Sequence, residues 1–371
     1  MRKTPKILIT MLLAASFISA SPFLGELSLS GVASGVNTNE VNIMTRYLPA
    51  VEFQNTLSED WAYDLGVRWQ IQWGGQLDTL DIGTSGLIAE PYRVALNLQS
   101  ARSEYIIGLQ KINFGPARIL RSLMWFDSIN PTDPLKLTSG VTGISAKHYY
   151  ESGWSSQAWV LLPGDPIGWE GFPDQEGTFE TGGRVGIPHE RGQVGLSTHW
   201  RIADASAISA NDPDLYEGRI GLDGFWDIGI GLWFESVYKN QQFANNPFLQ
   251  QLQTTIGADY TFWVGNGILV STEHMLINIW DSPSTEDTNR LISTVMSSYS
   301  PTLFDQLSVM LFLDWETETP LAYLSWGRTY DALRFTLGAF YTNTENTQGS
   351  SAGINSDFSG KGIQLTVVYN H

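Results

Sequence analysis

Cysteine is absent from the 371 residues, which excludes disulfides and thiolate metal sites. Charge is scarce: Asp, Glu, Lys and Arg make up 16% of the chain, against about 25% in ordinary globular domains. Basic residues are scarcer than acidic ones, 21 against 38, for a net charge of -17. A chain of that sign is no nucleic-acid binder by charge. Long apolar runs are missing after residue 20, so no later stretch can cross a membrane as a helix. His148, His189, His199, His274 and His371 show no metal-ligand spacing, and no metal or cofactor is expected.

Aromatics, by contrast, are abundant, with 14 Trp, 14 Tyr and 17 Phe beside 36 Gly, while the mean hydropathy is only -0.10. A transmembrane barrel combines these properties, because its lipid face and its lumen face cancel in the average. The first twenty residues differ: basic "MRKTPK", apolar "ILITMLLAASFI", then "SASP". This is the layout of a secretory signal peptide cut after Ala20. Its removal takes Arg2, Lys3 and Lys6 and leaves 18 basic against 38 acidic residues, or -20. The expected domains are a leader over 1–20 and one barrel over 21–371.

The stretch 63–73, "YDLGVRWQIQW", alternates strictly. Tyr63, Leu65, Val67, Trp69, Ile71 and Trp73 fall on one face of a strand, and Asp64, Arg68, Gln70 and Gln72 on the other. The pattern recurs at 92–98, with Arg93 on the polar face, and at 194–202, 228–238, 307–315, 333–341 and the C-terminus. Short breaks fall near residues 58–60, 101–102, 152–153, 190–191, 227, 265–266, 301–302 and 330–331. Between them lie longer segments: 35–45, 74–89, 114–140, 164–180, 203–215, 240–250, 279–289, the short 317–320, and 345–360. Turns and loops sorted by length are the rhythm of an all-β, antiparallel up-and-down outer-membrane barrel. The count is about eighteen strands; sixteen is allowed if weak strands merge. Closure removes the sheet edges, which lipid does not tolerate. Aromatics near strand ends, such as Tyr63, Trp73, Trp200, Tyr238, Trp315 and Tyr341, fit interfacial girdles. The apolar face of 63–73 is then expected to meet lipid.

Two segments resemble known outer-membrane proteins. The last strand, "KGIQLTVVY", resembles the C-terminal insertion signal of such barrels, although Asn370 and His371 follow the aromatic Tyr369. "QKINFG" and "WFDSINPTDPL" within 110–135 are similar to a segment of a broad class of porin-like barrels. The resemblance spans about thirty residues and implies a Gram-negative outer-membrane location and contact with the barrel-insertion machinery and with lipid. It also implies a third loop folded into the lumen, as in general porins.

That loop, 114–140, carries Ile119, Leu120, Leu123, Met124, Trp125, Phe126 and Ile129, too many apolar side chains to leave in water. Leu120, Leu123, Trp125 and Phe126 are expected to pack against the barrel wall, with a short helical turn ended by Asn130-Pro131 and Asp133-Pro134. Its charge is +1, from Arg118, Arg121 and Lys136 against Asp127 and Asp133. With Arg68 and Arg93 on preceding strands, these residues are the candidate constriction: guanidinium groups facing carboxylates make a transverse field that orients dipolar solutes. The plainer reading is that Arg118 and Arg121 only pin the loop; the two are compatible. Glu217, Arg219, Asp223, Glu235, Asp259, Glu273, Asp314, Arg328 and Arg334 are further lumen candidates, read as wall braces.

No catalytic set emerges. Ser197 and His199 stand at i and i+2 on one strand, about 7 Å apart, with no orienting acid to complete a triad. The acidic loops match no calcium-binding pattern. The expected function is passive diffusion of small hydrophilic solutes through a porin-like channel, with homo-oligomers left open. The alternative is a barrel plugged by its third loop that has a structural or assembly role.

Overall fold

A computed structural model describes residues 24–34, 41–77, 82–128, 133, 135–244, 247–280, 287–343 and 360–371. The leader expected at 1–20 and the turn at Asn130-Pro131 lie outside the described residues. The alternating segments become β1 (Leu24–Ser34), β2 (Val41–Thr56), β3 (Ala62–Leu77), β4 (Ile82–Gln99), β5 (Ser103–Gln110) and β6 (Val141–Tyr149). They continue as β7 (Ser155–Leu161), β8 (Glu180–His189), β9 (Gly192–Asp204), β10 (Asp214–Asp227), β11 (Gly231–Gln242) and β12 (Pro247–Phe262). The last six are β13 (Ile268–Trp280), β14 (Thr288–Tyr299), β15 (Asp305–Asp314), β16 (Thr319–Tyr330), β17 (Leu333–Thr342) and β18 (Lys361–Asn370).

Each strand pairs antiparallel with its neighbour in sequence, and β1 pairs with β18, so the 18-stranded sheet closes. The seam runs from Glu26↔Asn370 to Ser34↔Gly362. His371 extends it: Gly25 N donates to His371 O and His371 N to Gly25 O, both at 2.9 Å. The His371 ring stacks on Tyr47 and Tyr369. The two residues after Tyr369 therefore continue the ladder.

All the expected short breaks are turns, and they share one end of the barrel; the strand ends that the longer segments join share the other. Two boundaries differ from the sequence reading. The segment 74–89, expected as a loop, is mostly strand, with Gly75↔Thr84, Gln76↔Gly83 and Leu77↔Ile82 paired. Its glycines and polar residues hide the pattern, but ladder hydrogen bonds use the backbone and need no apolar side chain. Ile228 and Ile230, expected in a strand, fall in the β10–β11 turn.

The face assignments follow the alternation. Trp69 is exposed on the outside, while Gln70 and Gln72 line an interior cavity and bond to each other at 3.2 Å. Arg328 is a correction. It shares its face of β16 with exposed Leu324 and Trp326, while buried Leu321 and Tyr323 take the inner face. Both faces of β16 are apolar, so alternation could not fix its register. Arg328 pairs with Asp305, its neighbour on β15, instead of facing the lumen.

The interior is not uniformly polar. Val32, Met275, Ile277, Ile292, Met310, Phe312, Leu321, Tyr323 and Phe340 form one buried cluster with Leu120 of the third loop. The sequence signal is the run 309–313, "VMLFL", which is apolar on both parities. One sector of the interior is thus packed like a core.

The facing of β3 predicts unequal costs for a new charge. In lipid vesicles, Trp69→Arg should lower the unfolding free energy by about 2–4 kcal/mol, and Gln70→Arg by far less. Equal losses in urea titrations would contradict the assigned faces.

Candidate functional site

The chain leaves β5 at Gln110 and re-enters the sheet at Val141, and the intervening third loop folds into the barrel. Two buried carboxylates on the far wall hold it there. Glu235 of β11 accepts the backbone N–H groups of Ala117 and Leu123 at 2.9 and 2.8 Å. Glu273 of β13 accepts those of Arg118, Ile119 and Leu120 at 2.6, 3.0 and 2.7 Å, and the Trp233 indole N–H at 3.1 Å. Thr255 of β12, between them, donates to Leu120 O at 2.7 Å and bonds Ser122 Oγ at 2.9 Å. A turn that would otherwise bury unpaired N–H groups is satisfied by side chains of the wall. Gly115 makes the approach feasible: its φ is +91° and a Cβ there would lie 2.3 Å from Glu235 Oε1.

The apolar half of the loop is buried as its composition requires. Leu120, Leu123, Trp125 and Phe126 are each 2% exposed. Phe114, Trp125, Phe126, Trp159 and His199 meet in an aromatic cluster, with Phe126 edge-on to Trp159 at 5.3 Å and to His199 at 5.0 Å.

A second loop, 162–179, also folds inward, and sequence reasoning missed it. Trp169 Nε1 donates to Arg121 O at 2.8 Å, which stacks this loop on the third. Gly168, at φ +62°, permits the contact, since a Cβ would lie 2.0 Å from Met124 O. Glu170 accepts from Arg219 at 2.8 Å. Asp174 accepts from Arg201 and from Gly164 N, each at 2.9 Å. Arg201 and Arg219 converge on Glu217, which also takes a bond from Gln241. Burial pushes the Asp174 carboxyl above its ordinary range, and neighbouring Glu180 adds to that. The missed signal was Ile167, Trp169 and Phe172, too apolar for a solvated loop by the criterion that flagged the third loop.

The expected site residues separate into groups. Arg121 and Asp127 form a buried pair at 2.8 Å, and Arg121 also reaches Asn113. Arg118 is part-exposed, pairs with Asp259 of β12 and lies 5.0 Å from the Trp233 ring centre. Arg68 stands 3.6 Å from Glu52, both part-exposed. Arg93 and Asp133 meet in a cavity of about 520 Å³, which Arg46, Gln70, Gln72, Glu90, Tyr92, Glu170, Asp174 and Glu180 also line. Arg46 pairs with Asp133 at 2.7 Å. Arg93 donates to Thr138 O, Thr138 Oγ1 and Ser139 O at 2.8, 2.9 and 3.0 Å. A bulge beside Arg93 turns Tyr92 inward, where its hydroxyl accepts from Thr138 N. Arg46 and Glu90 went unnoticed because β2 and the start of β4 do not alternate cleanly.

Arginines thus line the β2–β4 side of this cavity and carboxylates of 170–180 the other, an arrangement in which Arg93 and Asp133 were expected from the sequence and Arg46, Glu90, Glu170, Asp174 and Glu180 were not. Glu90 and Asp165 take part in no ion pair among the described residues, so the cavity carries an excess of negative charge.

Glu170, Glu180 and His199 bring donor atoms within 4.8 Å of one another. Trp159 Nε1 donates to His199 Nδ1 at 3.3 Å, which leaves the ring proton on Nε2, 2.9 Å from Glu180. The ring is then neutral, and the positive charge beside this group comes from Arg201 and Arg219 on Glu170. Ser197 accepts from Arg184 at 2.8 Å, and no hydrogen bond joins it to His199, whose two nitrogens face Trp159 and Glu180.

A closed eighteen-strand antiparallel barrel with an inward third loop is decisive for the fold. The fold is that of the porins. Pseudomonas aeruginosa OccK2 (OpdF) is similar with a TM-score of 0.61 at 10% identity, over 94% of this chain and 97% of that one. P. aeruginosa OccD3 (OpdP) gives 0.59 at 8%, over 95% and 91%. The anion-selective porin from Comamonas acidovorans gives 0.53 at 12%, over 95% and 100%. No protein-family model and no curated protein matches the sequence.

The anchor makes a local prediction. Glu273→Gln replaces one acceptor oxygen by an NH2 that faces backbone donors, and each buried donor left unpaired costs about 1–3 kcal/mol. Hydrogen exchange at the amides of 118–120 should accelerate while β12 and β13 stay protected. Unchanged protection at 118–120 would contradict the anchoring role.

Proposed function

We propose that this protein is an outer-membrane, porin-like channel for the passive diffusion of small hydrophilic solutes. The observation that carries the reading is the cavity left inside a closed barrel, beside its two inward loops, with arginines opposite carboxylates. A plugged structural barrel would have no need of charged walls around open space. The apolar outer belt would contact lipid, and the leader at 1–20 would direct export.

Within this reading Arg93 and Asp133 line the passage with Arg46 and Glu90, and Arg68 and Arg118 sit beside it. Arg121 and Asp127 shape the loop from behind. Charges of opposite sign across a narrow, low-dielectric gap orient dipolar solutes. The excess of carboxylates favours cations, unlike the anion selectivity in the name of the Comamonas acidovorans protein.

The test is reversal potential in planar bilayers under a potassium chloride gradient. The wild-type channel should prefer potassium, more strongly at low salt, where screening is weak. Arg93→Ala should increase that preference and Glu90→Gln should reduce it. A protein that inserts without conducting would sink the channel reading. A conducting protein with unchanged selectivity in both variants would move the passage away from these residues.

A further inference from the structure

The short-turn end of the barrel is not uniform around its rim. Three consecutive turns, 228–230, 263–267 and 300–304, contain no charged residue. Their apolar side chains stand in the open: Trp263 is 86% exposed and Leu303 99%, with Ile228, Val264 and Phe304 also exposed. The other five turns each carry charge, from Glu59 and Asp60, Arg102, Glu151, Glu190 and Arg191, and Asp331. The apolar arc spans β10 to β15, six of eighteen strands. It is also built: Asn266 Nδ2 donates to Ser300 O and Pro301 O at 2.9 and 3.1 Å, which ties two of the turns together.

We infer that this arc enters the headgroup–acyl boundary of the adjoining leaflet, so the barrel sits deeper in the membrane along β10–β15 than elsewhere. The inference rests on the membrane-spanning reading above. The arc adjoins the outer belt, where Tyr260, Phe262 and Leu307 are exposed just above the turns, and the carboxylates that border it are engaged, Asp227 with Gly229 N and Asp305 with Thr302, Trp326 and Arg328. Tryptophan beside aliphatic tips and no charge suits the interface, where an amphipathic ring finds both an apolar and a hydrated side. A fluid boundary can wet all three turns. On the charged arcs, burial of the turn tips would cost desolvation.

The absence of cysteine makes the test direct. Trp263→Cys and Leu303→Cys are compared with Asp60→Cys and Glu190→Cys, with Trp69→Cys as the mid-strand control. Each is labelled with an environment-sensitive fluorophore in phosphatidylcholine vesicles. Quenching by a spin-labelled lipid and by aqueous iodide is then measured. Labels at 263 and 303 should be quenched by the lipid and shielded from iodide, and those at 60 and 190 the reverse. Iodide quenching at 263 and 303 equal to that at 60 and 190 would overturn the inference. So would shielding from iodide without lipid quenching, which would assign the arc to a second copy. A label at 69 that the lipid fails to quench would bring down the membrane reading and this inference with it. Lipid quenching at 263 and 303 in vesicles that do not conduct would uphold the arc and remove only the channel.

Discussion

Glu235 and Glu273 hold the molecule in its working shape. Two carboxylates, each at most 1% exposed, accept five backbone N–H groups from a single turn. Charge-assisted bonds of this kind are about twice as strong as neutral ones, and the penalty for leaving them unmade is larger than their net gain. The third loop therefore has one place to sit, against β11–β13. Everything inside the barrel is arranged around that choice.

The loop in place divides the interior. On one side its tip completes the apolar cluster of β13–β17 and β1, which fills that sector with side chains. On another, Trp125 and Phe126 close an aromatic wall, and the loop 162–179 stacks on it through Trp169. Arg201, Arg219 and Glu217 then fix the second loop from the barrel wall. Space remains beside β2–β4, and its charges are the groups that the loops and strands bring there together. A barrel wall alone would enclose a wide lumen; the two loops give it a narrow, sided one.

Much of this was legible in the sequence. A period of two survives wherever one face is apolar and the other polar, so β3, β9 and β18 announce themselves, and the turn positions give a count of about eighteen. The inward third loop was legible from Leu120, Leu123, Trp125 and Phe126, because apolar side chains in a loop must find cover. Legibility failed where both faces share a character. Met310 and Phe312 point inward among outward Val309 and Leu311, and Arg328 took the wrong face for the same reason. The partners of the site residues were hidden as well: Arg121 and Asp127 are six residues apart, but Arg46 and Asp133 meet across 87. Alternation assigns a face, not a neighbour across the lumen.

Single-channel conductance with and without residues 117–137 tests the central claim most directly. The deletion removes the turn that Glu235 and Glu273 hold but no strand. The ladder should survive, and the freed carboxylates should rehydrate in a wider lumen. If the inward loop sets the narrowest part of the passage, the deleted form conducts more than the wild type and keeps its β-sheet circular dichroism. A folded deletion variant with wild-type conductance would contradict it.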